Sequence, residues 1–355
     1  MKTSDNLRRM RLPVAALAAA ALLSAHALRD DAPAQRLSDY GFFAGPPARQ
    51  EPAIGTIAYR LNTPLFSDNA EKLRFLRLPA GASVRYNDSS VFDFPVGTAI
   101  VKTFAFPHDA RYPEKGRRLI ETRVLIREET GWKALPYVWD EAQSDAFLDV
   151  AGDTREVSYT DEEGRRRKHA YQIPNLNQCK GCHNLAERMT PIGPSARQLS
   201  GPLTVGDKGH SQLEDWAKAG ILTGLPGQEE LPPAVVWNDP STGTLEQRAR
   251  LWLDINCAHC HRPQGPAGTS GLFLGAGTTD PLHLGIGKTP VASGRGSGNL
   301  LHDIQPGNPS ASILLHRMAS TDPGVMMPEL GRTQPDPKAV ALIREWIADM
   351  KPTGQ

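Results

Sequence analysis

The chemistry-bearing residues of this chain are concentrated in two pentapeptides, Cys179-Lys180-Gly181-Cys182-His183 and Cys257-Ala258-His259-Cys260-His261. Together they contain all 4 cysteines of the 355-residue sequence. Two thiols at this spacing can add across the two vinyl groups of one porphyrin edge. The histidine that follows directly can then turn beneath the ring and ligate its iron, the attachment pattern of a c-type haem. Disulfides, a thioredoxin-like dithiol or a zinc site built from all the sulfurs would draw on the same residue types. Two complete copies, each ending in histidine, favour two covalent haems c. Cys179, Cys182 and His183 would hold one and Cys257, Cys260 and His261 the other, with His183 and His261 on iron.

A sixth ligand is expected for the second iron at Met327, in Met326-Met327-Pro328 after a Thr-Asp-Pro-Gly turn. A thioether opposite histidine favours ferrous iron and raises the potential. Met326 is the neighbour that could replace it, whereas Met318 should pack in a helical core. The first iron has no obvious partner. Met189 follows His183 closely, a short reach for a chain that must cross to the other face of a ring. His210 sits in a polar Gly-Asp-Lys-Gly-His-Ser loop. A residue from elsewhere, or no protein ligand, is the remaining option. Gly265-Pro266 is placed to fix the His261 imidazole through a carbonyl.

The elements that must position these residues fall into four segments. In residues 1–27, Lys2, Arg8, Arg9 and Arg11 precede an apolar run from Leu12 to Leu23 and an Ala25-His26-Ala27 cleavage site. That order reads as a signal peptide, which implies a periplasmic protein with no transmembrane segment after cleavage. Residues 38–174 follow a period of two. Ile120, Thr122, Val124 and Ile126 alternate with Glu121, Arg123, Leu125 and Arg127, a half-buried strand that turns at Glu128–Gly131 into Trp132–Leu135. Phe92–Phe104 is a second β-rich run, and Val157 to Ile173 a hairpin around Asp161-Glu162-Glu163-Gly164. Asp140, Glu141 and Asp145 are expected to cap a short helix. Arg165–Lys168 should be a solvated hairpin edge and His169 an ordinary strand residue.

Residues 175–240 hold the first haem motif, a short helix from Gln212 to Leu222 with Leu213, Trp216 and Ala217 on one face, and a Pro/Gly-rich linker. Residues 241–355 read as helical. Thr244-x-x-Gln247 is a capping box for a helix running into the second motif, and Asn308-Pro309 opens another helix. Asp336-Pro337 caps the last, with Val340, Ile343, Ile347 and Met350 as its buried stripe. Gly294–Gly298 lacks the ending of a phosphate loop and reads as a surface loop. The fold class is therefore α+β and multidomain, with an antiparallel β-rich N-terminal domain before an all-α C-terminal domain. Lys plus Arg (40) balances Asp plus Glu (39), which argues against nucleic acid as the main partner.

The helix with CxxCH, the Met-Pro loop and the terminal helix together resemble class I cytochrome c. The strings LSDYGFF, LNTPLFSD, FPVGTAIVKTF, LPYVWDEAQSDA, NQCKGCH, PIGPSARQL, NCAHCH and PGVMMPELG are similar to a family of bacterial dihaem c-type cytochromes of unknown substrate. The likeness runs from Leu37 to Met350 and implies haem attachment and electron transfer. A fainter resemblance is to β-sheet haem proteins of the cytochrome c′-beta type, whose iron is five-coordinate. The expected function is one-electron transfer with a periplasmic redox protein or dehydrogenase as partner. The rival is a peroxidase-like or gas-binding haem protein with an open first site fed by the C-terminal haem.

Overall fold

The computed structural model describes residues 32–203 and 211–351, so the signal-peptide segment and His210 lie outside the described residues. Before the first motif come β1 (Thr56–Ala58), β2 (Glu71–Arg77), β3 (Val84–Arg85), β4 (Ala99–Pro107), β5 (Arg117–Glu128), β6 (Gly131–Trp139), β7 (Ala146–Leu148), β8 (Asp153–Thr160) and β9 (Arg166–Ile173). One antiparallel sheet runs β1-β2-β4-β5-β6-β7, and β8–β9 form a separate hairpin. The β5–β6 pairing turns through Glu128 and Gly131 as the alternation predicts.

One face of the sheet presents Val101, Val124, Leu135 and Tyr137 to Leu37, Tyr40 and Phe42 of the N-terminal segment. The Tyr40 and Tyr137 hydroxyls meet there at 2.9 Å. The other face is divided into bands. Leu76, Ile100, Leu125 and Ala134 are register partners that pack on the helical segment with Leu199 and Leu213. Further along, Phe104 and Val138 pack beneath the β8–β9 hairpin with Val157 and Tyr171. The strand β5 was expected to be half-buried, and the structure corrects this. Both faces are covered, and Glu121 is fully buried because Arg123 and Tyr171 satisfy its carboxylate.

The acidic group after Trp139 also differs from expectation. It caps no helix, because β6 returns directly into β7 through a tight turn. Asp140 accepts from the Ser144 N–H within that turn, and Asp145 takes the Ser38 N–H and, at 2.5 Å, its hydroxyl. Arg165 and Arg167 both pair with Asp161 on the exposed hairpin. His169 packs edge-on against Phe106 in the core beneath it.

The helical part begins with α1 (Leu176–Cys182), followed by the β10–β11 hairpin (Asn184–Leu185 and Arg188–Met189), α2 (Ala196–Leu199) and α3 (Gln212–Lys218). Strand β12 (Leu222–Thr223) then pairs in parallel with β3. Trp216 of α3 is a core residue set against Tyr59 at 6.1 Å between ring centroids. The C-terminal region is α4 (Leu245–Asn256), α5 (Ile313–Ala319) and α6 (Pro337–Asp349). Thr244 and Gln247 form the expected capping box, and Asp336 accepts from the Lys338 and Ala339 N–H groups. Trp252 and Leu253 of α4 share a core with Leu342, Ile343 and Trp346 of α6. Ile343 and Ile347 of the expected stripe are buried, with Trp346 beside them and Leu342 added, while Val340 and Met350 are only half-buried and Val340 borders a cavity. The architecture is thus mixed α+β, with an antiparallel N-terminal sheet and a helical C-terminal region. No helix among the described residues is long and apolar enough to cross a membrane.

The two parts are clamped at Asp68, whose carboxylate is buried and accepts from the Thr333 N–H at 2.8 Å, the Thr333 hydroxyl at 2.9 Å and the Gln334 N–H at 2.9 Å. Charged hydrogen bonds are worth roughly 1.5–3 kcal/mol each and are only partly additive. Asp68→Ala is therefore expected to cost about 3 kcal/mol in urea unfolding. A loss below about 1 kcal/mol would show that water replaces the clamp.

Candidate functional site

Helix α1 starts at Asn175, whose side chain and that of Gln178 cap it reciprocally, and ends at His183. The chain then folds back through the β10–β11 hairpin. Its two turn residues, Ala186 and Glu187, both adopt left-handed backbone, at φ 50° and 63°. A turn of this hand matches the twist of adjoining strands but normally takes Asn-Gly or Gly-Gly. The strain has a structural result: the hairpin delivers the Thr190 carbonyl to 3.1 Å from His183 Nδ1. Nε2 is left as the ring nitrogen without a protein partner among the described residues. Metal-binding histidines are commonly held in this way by the nitrogen that does not ligate. Burial, with Lys102 nearby, lowers the His183 pKa to about 3, so the ring is neutral and its lone pair is free. Glu187→Gly should raise stability by about 1 kcal/mol, the usual cost of a left-handed non-glycine residue, in thermal unfolding. No gain would mean that the turn is held by its neighbours alone.

Met189 packs behind the wall of the first cavity rather than on its border. It lies on β11 of the same returning hairpin and packs on the sheet cluster that includes Cys179, Ile100, Leu125 and Ala134.

The second motif leaves the end of α4, with Cys257 as its C-cap. Burial raises the Cys257 thiol pKa to about 12 and lowers the His261 ring to about 4. The expected carbonyl from Pro266 does not hold His261. The Gly265 N–H bonds Arg262 O and the Ala267 N–H bonds Cys260 O, which curls this loop onto itself. Leu272 is the backbone neighbour that opposes the drop in the His261 pKa, but Nδ1 makes no hydrogen bond of proper geometry.

Met327 borders the same cavity as His261. Its backbone is held at both ends: its N–H donates to Arg317 O at 3.0 Å, and Arg332 Nη2 donates to its carbonyl at 2.8 Å. Met326 is buried in the preceding turn and borders neither cavity. Met318 is a core residue of α5, as expected, though its side chain also borders both cavities.

The two motifs are in contact. Arg262 donates to Asn184 O at 3.2 Å, the Ala186 N–H donates to Gln264 O at 3.0 Å, and Cys260 Sγ lies 3.7 Å from Gly181 O. The neighbouring Cys260 and His259 lower the Cys182 thiol pKa, and Cys182 in turn raises that of Cys260. These acidities belong to the free thiols and would vanish on thioether formation. His259, inside the second motif, is buried with Nδ1 unpartnered. It is a site residue that sequence reasoning passed over.

Two adjoining cavities flank this contact, with about 1470 Å³ and 1440 Å³ of atom-free space open to solvent. The first lies between the sheet, α1 and the Met327 loop, and the second between the CAHCH segment, α5 and the same loop. Cys182, His259, Met327 and Leu330 border both. Among the described residues no three His, Cys, Asp or Glu side chains are grouped as a metal site. The cysteines are all free thiols. Each motif instead supplies two sulfurs and one neutral imidazole to a separate cavity, a donor set that fits a covalently held porphyrin with one axial histidine.

The fold and site define an α+β protein with paired Cys/His-bordered cavities. No family model, curated protein or solved structure matches the chain.

Proposed function

We propose that this protein is a dihaem c-type cytochrome, of the bacterial dihaem family its strings resemble, working in one-electron transfer in the periplasm. The observation that carries the reading is the placement of each CxxCH at the border of its own cavity, with the two motifs touching between them. Haem groups held there would supply one-electron redox chemistry. The chain's own part is to hold the imidazoles. Thr190 orients His183, burial keeps both rings neutral, and Arg332 and Arg317 hold the Met327 backbone beside the second cavity. The run of α4 into CAHCH, the Met-Pro loop and α6 packed on α4 supports a class I cytochrome c-like arrangement. A periplasmic redox protein or dehydrogenase is the partner proposed.

A second reading, a peroxidase-like or gas-binding first site, is favoured by one observation. The wall of the first cavity contributed by the sheet offers arginine, lysine and apolar side chains but no histidine or methionine, and the His259, Met318 and Met327 side chains that border it also border the second cavity. Protein made in a host that attaches haem is expected to contain two haems c per chain by pyridine haemochrome and intact mass. Fewer than two would sink the proposal. Carbon monoxide added to the reduced protein then separates the readings. Two unchanged spectra support the carrier, and a shift at one haem supports the open site.

A further inference from the structure

The band of the sheet that faces the first cavity carries a row of like charges. Arg74 of β2 is the register partner of Lys102 of β4, and Lys102 is the register partner of Arg123 of β5. All three border the cavity that contains Cys179, Cys182 and His183. Like charges directly opposite one another destabilise a sheet, and burying cations adds a desolvation cost. A fourth cation, Lys72, approaches the same group. Lys72, Lys102 and Arg123 all lie around the buried Phe104 ring, with the Arg123 guanidinium carbon 4.2 Å and the Lys102 Nζ 4.9 Å from its centroid.

The acids at hand balance only one member of this row, Arg123. Glu121 is bound to Arg123 in a two-point pair and to the Tyr171 hydroxyl. Asp68 is engaged by Thr333 and Gln334, and Asp336 by the first turn of α6. Arg74, itself buried, donates only to Lys72 O, and Lys102 has no hydrogen-bond or ion-pair partner among the described residues. Phe104 offsets part of the cost through cation–π contact, worth about 0.5–2 kcal/mol per pair. It cannot neutralise charge. Burial, with Arg123 and Arg74 beside it, disfavours the charged form of Lys102.

We propose that the Arg74–Lys102–Arg123 row is an anion site, built to take a carboxylate or small oxyanion inside the first cavity. The chemistry has two sources: a propionate of the porphyrin held at Cys179 and Cys182, or a free small anion brought to that site. This inference rests on the haem reading for its reporter. Haem content is therefore measured first, and a chain with two haems c makes the remaining result independent of that reading.

The test compares wild-type dihaem protein with Lys102→Met, which removes the charge and keeps the length, and Arg74→Gln, which keeps a donor toward Lys72. Ferric protein is titrated with sodium nitrite and, separately, sodium formate. A saturable shift of the first haem spectrum, weakened at least tenfold in Lys102→Met or Arg74→Gln, establishes the free anion. No titration, but a displaced propionate-bending band in resonance Raman of either variant, establishes the tethered carboxylate. If neither occurs in a correctly loaded variant, the proposal is overturned and the row is only a repulsive defect. If one variant does not load, the other decides.

Discussion

Made without haem attachment, in a cytoplasm lacking the machinery or as the Cys179→Ala/Cys182→Ala/Cys257→Ala/Cys260→Ala variant, the chain is expected to show no cooperative thermal transition. The reason is where the cavities lie. Though open to solvent, they cut into the core, because the sheet residues Ile100, Leu125 and Ala134 border the first, and Leu272, Ile313 and Leu314 border the second. Unfilled apolar space costs about 24 cal/mol per Å³, so even roughly 200 Å³ left empty costs about 5 kcal/mol. That equals the whole stability of a marginal domain, about 5–15 kcal/mol. Water filling the space would relieve some of this cost but would wet an apolar lining. The buried row at Arg74, Lys102 and Arg123 adds repulsion that no occupant would then relieve. Scanning calorimetry and near-ultraviolet circular dichroism of the haem-free chain give the answer. A sharp transition at the loaded protein's temperature would show that the cavities are tolerated empty, and would remove haem from the core.

What could be read from the sequence and what could not divide along a physical line. The two Cys-x-x-Cys-His motifs are legible because both sulfurs and the histidine fall within five contiguous residues, and their mutual contact is what only the fold shows. The Thr244 and Asp336 caps, the β5–β6 turn and the β8–β9 hairpin are likewise local, and the structure forms each of them. The misreadings came from contacts between distant segments. Arg123 alternates with Val124 as a solvent-facing residue would, yet its face is covered by the cavity and the β8–β9 hairpin. The cation row needs the register of three strands, which no single stretch of sequence specifies. Asp68 lies in a loop, and only the fold brings Thr333 and Gln334 to it from the other end of the chain. The acidic run after Trp139 has the composition of a helix cap, but the return of β6 into β7 leaves no room for a helix. His259 was hidden by its own motif, since the residues between the cysteines of CxxCH are free to vary and carry no signal of their own.

The second large effect is expected at Met327. In the loaded protein, Met327→Ala should open the C-terminal iron to carbon monoxide. It should also lower that haem's potential by on the order of 0.1–0.3 V, a fraction of the roughly 0.8 V range that axial ligands command. The sign follows from the donor, because a neutral thioether stabilises ferrous iron, and water or nothing in its place does so less. Met326 is not expected to rescue the loss. Its N–H is tied to Asp322 O at 2.8 Å in the turn, its side chain is buried away from both cavities, and swapping the two would require Arg332 to release the Met327 carbonyl. Met326→Ala should therefore leave both spectra and both potentials near wild type, which makes it the control. One complication is itself informative: Met327 borders the first cavity as well as the second. Repeating Met327→Ala in a Cys257→Ala/Cys260→Ala protein, which retains only the first haem if it loads, resolves the assignment. If the single remaining haem is unaffected, Met327 belongs to His261. If it is the one that gains carbon monoxide binding, the thioether serves His183, and the C-terminal iron is the open site.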